Sequence, residues 1–284
     1  MGVRNRLRRF VKLWIDLFAR HELLDHAGAI AFAVLKSLIP LTLLGLALLG
    51  ALGEERVWSR TFAPAIKSSV QPPTYRAINF AVEKIFSTDS TGLIVFASLL
   101  ALWYISGSVR AMMGGVNDIY ETDDERAWQH RYALSFGLAA CIAVGVIGAL
   151  LVGIVVGRAG GSEPVRVFAQ VGRWVAAVLL LGLALELLVR FAPAQPRSKK
   201  WVSAGTALVV VAWIGATLIF EQFVVHVANF KTASGSLVVF LVLIGYVYTS
   251  SIILLVGIEL DELLREDATA GHRGVLQLLF GVGK

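Results

Sequence analysis

An all-α, polytopic membrane protein is the fold class this sequence predicts, and three observations predict it. Apolar residues make up 57% of the 284-residue chain and charged ones only 16%, against roughly 45–50% and 25% in soluble domains. Mean hydropathy is +0.73. The apolar residues fall in six blocks, 27–52, 92–113, 133–157, 171–192, 203–225 and 236–260. Each is long enough for the ~20 residues that cross a hydrocarbon core as a helix. A soluble bundle would need shorter helices with polar faces. Six spans leave no room for a second domain, so residues 1–284 are read as one membrane domain, a six-transmembrane-helix bundle.

Residues 1–26 precede the first span. Leu7, Val11, Trp14 and Phe18 recur at helical spacing, with Arg4, Arg8, Arg9 and Lys12 off the stripe, the pattern of an amphipathic helix lying at a membrane interface. No small-residue cleavage site follows the basic N-terminus, so the first span is expected to be its own targeting signal.

The first span carries Lys36 and, four residues on, Pro40. A proline ring removes the hydrogen bond that the carbonyl four residues back would accept, here the carbonyl of Lys36. The expectation is a helix broken beside a buried ammonium group. Lys36 lies about 13 Å along its helix from residue 27, and Glu186 about 9 Å from residue 192, at 1.5 Å per residue. These depths suit a cluster of Lys36, Glu186 and Arg190, with Arg110 near the same end of the second span. An ion pair that fixes register, a group that binds an anionic headgroup or carries a proton, and a Lys36 that snorkels to the interface are all open readings of it.

The 53–91 segment is expected to be helical and periplasmic. Beyond Pro72 and Pro73, the residues Tyr75, Ile78, Val82, Ile85 and Phe86 make an apolar stripe with Arg76, Glu83 and Lys84 off it. Cys141, the one cysteine, lies within the third span and is read as a small packing residue. The glycine-rich 157–164 segment is read as a tight turn between spans three and four. In the last span Tyr246, Thr249 and Ser250 can share a face, as polar contacts between helices or as the lining of a cavity. Glu221 and Glu259, near span ends, are read as interfacial.

With six spans, 16 of the 26 Lys and Arg fall on the side of the two termini, counting Arg110 and Arg190 with their adjoining loops. Short basic segments stay cytoplasmic, so both termini, the 261–284 tail included, are placed in the cytoplasm. This bias accounts for the net charge of +6 without a nucleic-acid partner. No two of the five histidines stand at metal-ligand spacing on one face, and neither a phosphate loop nor a nucleophile elbow occurs. No cofactor, metal or catalytic residue is expected, and no enzymatic activity.

Three stretches together resemble the YihY/BrkB family of bacterial inner-membrane proteins, once named ribonuclease BN. They are "AIAFAVLKSLIPL", ending in Pro40; "SGSVRAMMGGVNDIYETDDERAWQHR", with Arg110, Asn117, Tyr120, Arg126, Trp128 and Arg131; and the run from "RFAPAQPRSKKWVSAG" to "GIELDELL". The resemblance covers most of the chain. It implies six spans, cytoplasmic termini, a role in envelope integrity, and transport or flipping of a lipid or anionic envelope precursor. At the position of Lys36 the family is usually apolar. The candidate pathway residues are Lys36, Pro40, Arg110, Asn117, Glu186, Arg190, Tyr246, Thr249 and Ser250. Membrane lipids with anionic headgroups are the expected partners, along with a second copy of the chain or an envelope enzyme. The alternative is a non-transporting scaffold for envelope enzymes.

Overall fold

The structure is a computed structural model that describes residues 3–88, 90–158, 183–184, 186–194, 204–226 and 233–269, with isolated positions at 172, 175, 179 and 180. The described chain folds as α1 (Val3–Arg20), α2 (Leu23–Ala51), a short α3 (Glu55–Val57) running through one π-helical turn (Trp58–Phe62) into α4 (Ala63–Ser69), α5 (Pro72–Ser87), α6 (Ser90–Ile119), α7 (Trp128–Arg158), α8 (Ala204–His226) and α9 (Ala233–Thr269). Residues 186–191 are also helical. No strand occurs among the described residues. The 159–164 part of the expected turn, most of the fourth apolar block and residues 270–284 lie outside them, as do the side chains of Arg4, Leu7, Arg9 and Val11.

Four of the described helices are long and apolar enough to cross a membrane: Leu23–Ala51, Thr91–Ile119, Ala204–Val224 and Phe240–Glu266. α2 packs most extensively on α6, and α9 packs on α8, α2 and α6. Leu23, Ala27, Ile30, Val109, Met113, Val116, Ile119, Leu254, Leu255 and Ile258 form the main core. A second cluster, around Leu44, Ala97, Ala101, Ile105 and Ala139, joins α2, α6 and α7 nearer their other ends.

The phase of α2 decides where its unusual residues point. Ala27, Ile30, Ala31, Ser37, Pro40, Leu44 and Ala47 are buried, whereas Ala29, Phe32, Lys36, Ile39 and Thr42 are exposed. Recurrence every three or four residues keeps each set on one helix face. Lys36 therefore points outward, contrary to the expectation from its cost in the interior. The helix is not broken at Pro40 either: α2 is continuous through it. The ring is fully buried, and packing on both sides holds the helical path that local propensity opposes.

The amphipathic stripes behave as their spacing predicts. In α5, Val82 is buried against Trp58 and Ala63, with Tyr75, Ile78 and Phe86 packed around them, and Arg76, Glu83 and Lys84 are exposed. Leu46 of α2 joins this cluster, so the 55–87 segment sits on the end of the bundle. In α1, Arg8 and Lys12 are exposed, Trp14 and Phe18 half-buried, and Leu17 packs on Leu263. Cys141 is exposed on α7, not packed inside as expected.

Glycine sets the closest helix crossing. A Cβ on Gly257 of α9 would stand 2.9 Å from the Gly205 carbonyl oxygen and overlap Val209, while one on Gly137 of α7 would meet nothing within 4 Å. Alanine gains about 1 kcal/mol over glycine inside a helix, but forced overpacking costs about 1–3 kcal/mol. Gly257→Ala is expected to lower the unfolding temperature in detergent and Gly137→Ala to leave it equal or higher. Equal effects at the two sites would contradict the close crossing.

Candidate functional site

Polar side chains gather where α1 turns into α2, beside the C-terminal end of α6 and the later turns of α9. His21 is 8% exposed and Glu259 of α9 is 1% exposed; His21 Nδ1 and Glu259 Oε2 are 2.8 Å apart. Arg20 bonds Glu121 at 2.6 Å, and the other ring nitrogen of His21 stands 3.5 Å from the same carboxylate. His26 pairs with Asp118. One turn beyond Glu259, buried Glu262 is held by Arg265. Glu259 is thus a core residue, not the interfacial one expected, while Glu221 is exposed.

A second assembly begins on the same helix end. Asp124, in the loop after α6, receives Arg126 Nε at 2.7 Å and Nη2 at 2.8 Å, and Arg131 approaches at 3.3 Å. The Arg126 side-chain hydrogen bonds hold the Asp124 carboxyl below its ordinary 3.8, with Arg131 adding to the effect. Arg126 also donates to the carbonyls of Ala192 (2.9 Å) and Pro193 (3.3 Å). Its cation thereby meets carbonyls left unpaired just beyond the 186–191 helix. Buried Asn117 completes the clamp, accepting from the Ala194 N–H at 2.8 Å and donating to Asp124 at 3.4 Å.

The remaining candidates are dispersed. Arg110 donates to Ser106 and to Ser135 of α7, both at 3.0 Å, and stacks over the Tyr132 ring at 4.3 Å; among the described residues no carboxylate pairs with it. Lys36 lies over Phe32 at 4.4 Å, one turn back on the exposed face, and forms no pair with Glu186. Glu186 instead accepts from Thr206 of α8 at 3.4 Å, near Asp261, which caps the Gly205 N–H at 2.7 Å, and near Arg190. Arg190 also approaches the Phe191 ring. The expected Lys36–Glu186–Arg190 cluster therefore does not form. On α9, Tyr246 meets Thr217 at 3.0 Å, Trp213 donates to the Ser250 carbonyl at 2.9 Å, and Thr249 is half-buried. These contacts join α8 to α9. Among the described residues no three His, Cys, Asp or Glu side chains converge as a metal ion requires.

The chain matches the family described as Virulence factor BrkB over residues 15–276. It belongs to the BrkB family. Among curated proteins it is similar to YfkH of Bacillus subtilis (strain 168), described as ribonuclease-like, at 26% identity over 271 residues, 90% of this chain and 95% of the relative. No solved structure matches. As a BrkB protein with four long apolar helices among its described residues, it is a membrane protein associated with the envelope.

The family pattern contained Asn117, Arg126 and Arg131, and the structure gives them a shared task. Sequence reasoning passed over Asp124, which joins them, and the His21–Glu259 pair, whose members stand 238 positions apart. A histidine between two helices is a weak signal without its partner.

Charge-assisted hydrogen bonds of this kind contribute about 1.5–3 kcal/mol each. Asp124→Asn is expected to lower the unfolding temperature at neutral pH. Because the folded carboxyl titrates below 3.8, its contribution is complete above that value and is lost as pH falls through the lower folded one. Thermal melts of the two proteins should converge in acid. A constant difference at all pH values would show that Asp124 acts by shape alone.

Proposed function

We propose that this BrkB protein is a six-span inner-membrane protein with cytoplasmic termini that moves a lipid or an anionic envelope precursor across the bilayer. The observation that carries the reading is Arg110. It stands about 13 Å from the end of α6, at 1.5 Å per residue, and is half-buried between α6 and α7. It is held by two serine hydroxyls and the Tyr132 ring. A guanidinium with no carboxylate partner among the described residues keeps its capacity for bidentate bonds to a phosphate, and a charged group at membrane depth is a default candidate for a pathway. Family membership and the apolar helices support the setting. Lys36, exposed on α2 beside Phe32, is not part of this site.

The 55–87 helices, capping the bundle through Leu46, lie on the periplasmic side in this topology. The lack of a nucleotide-binding motif leaves an ion gradient, a substrate gradient or a partner as the energy source.

The test is transbilayer movement of a fluorescent phosphatidylglycerol in vesicles carrying the purified protein. The protein is expected to accelerate movement over protein-free vesicles, and Arg110→Gln to slow it about tenfold, the equivalent of one charge-assisted bond of at least 1.4 kcal/mol. Movement no faster than in protein-free vesicles would overturn transport and favour a scaffold for envelope enzymes.

A further inference from the structure

Two features at the α1 end of the bundle have no part in the reading above. The first is a nitrogen: His21 Nε2 is buried and has no hydrogen-bond partner. The second is backbone geometry. Among the described residues the two non-glycine positions with positive φ are Glu22 (φ 44) and Glu121 (φ 48). One follows His21 in the chain and the other faces its ring at 3.5 Å. Such conformations cost free energy and gather at functional sites.

The tautomer is tied to the state of Glu259. Ionised, Glu259 can only accept, and the 2.8 Å contact then places the hydrogen of the neutral ring on Nδ1. Nε2 is then a bare lone pair, shielded from water and directed at the Glu121 carboxylate, beyond good hydrogen-bonding geometry but within ion-pairing range. Two oxygens flank one imidazole, the outer one on a half-exposed side chain and the inner one fully buried. That arrangement lacks a proton on Nε2, and a proton there would turn an unmet acceptor into a second charge-assisted contact.

We propose that His21 and Glu259 form a proton-binding site, loaded from solvent through Glu121. The Glu121 carboxylate takes a proton from a hydronium ion, which leaves as water. Its O–H bond breaks as the Nε2–H bond forms, leaving Glu121 ionised against Arg20 and His21 as an imidazolium with a hydrogen on each nitrogen. The Nδ1 hydrogen can then pass to Glu259 Oε2, giving a neutral acid and a neutral ring protonated on Nε2. These steps take up one proton, which comes to rest on Glu259, and no other reactant is needed.

The surrounding charges favour uptake. From α1, Arg20 holds Glu121 at 2.6 Å and orients it. From α2, His26 is engaged by Asp118 of α6. On α9, Glu262 and Glu266 add negative potential at Glu259, and Arg265 offsets part of it through Glu262. Tyr120, just after α6, lies near Arg265. Protonated His21 ties the α6 end to α9, so proton occupancy sets how firmly these helix ends hold together. The site stands on the fold whether or not the protein moves lipid.

The experiment is magnetic resonance of nitrogen-15 histidine in the full-length protein in lipid vesicles, titrated from about pH 8 to about pH 5, where histidine exchanges its charge. His21→Gln assigns its signals among the five histidines. If that variant does not fold, Glu121→Gln, at an exposed side chain, identifies the same signals by displacing them. His21 Nδ1 is expected to carry hydrogen at the alkaline end, with Nε2 bare there and protonated at the acid end. Glu121→Gln should move the midpoint to lower pH, because one flanking carboxylate is lost. Nε2 protonated at about pH 8, bare at about pH 5, or indifferent to Glu121→Gln would overturn the proposal.

Discussion

Three helices share one narrow contact at Gly115. A Cβ on this residue of α6 would lie 3.1 Å from Leu255 of α9 and 3.3 Å from the Cβ of His26 on α2. Only the missing side chain lets the three backbones approach so closely, and apolar packing density then fixes the remaining positions. Leu23, Ala27, Val116, Ile119, Leu254 and Ile258 close around the same contact. Because the three helices are held there, their polar ends arrive in register. His26 reaches Asp118, and His21 reaches Glu259 without a long side chain having to bridge the gap.

The charges near that end divide into two kinds. Those of the Asp124 clamp are consumed in structure: Arg126 and Asn117 tie the loop after α6 to backbone groups of residues 192–194, joining segments more than sixty residues apart. Removing one member would strand the others, which makes the clamp costly to alter. Arg110 and His21 are of the other kind. Each is positioned by its neighbours, and in the roles proposed above one would take an anion and the other a proton. Positioning with unspent capacity is what distinguishes a binding group from a strut.

Hydropathy made the long helices legible, and the amphipathic stripes of α1 and α5 gave their orientation, because one side of each is plainly polar. Inside the spans that contrast vanishes. Lys36 was misplaced because its cost of burial was weighed before its helical phase; the small residues Ala27, Ala31, Ser37 and Ala47 already marked the opposite face as the packed one. Local hydrogen bonding alone predicts a break at Pro40, and tertiary packing overrides it. For Glu259 and Cys141, position along a span gives depth and says nothing of facing direction. The partners of His21 and Asn117 lie on distant segments, and no spacing in a single sequence reveals them.

The most direct measurement concerns the three-helix contact. A disulfide needs its Cβ atoms about 3.5–4.5 Å apart, close to the separation of position 115 from His26. With Cys141→Ser as background, the paired substitutions His26→Cys and Gly115→Cys should cross-link under mild oxidation in native membranes. Loss of thiol labelling would report the bond. The pair His26→Cys with Gly114→Cys should remain reduced, since a Cβ on Gly114 meets nothing within 4 Å. Oxidation of the second pair alone, or as readily as the first, would contradict the contact from which the polar end of the bundle is built.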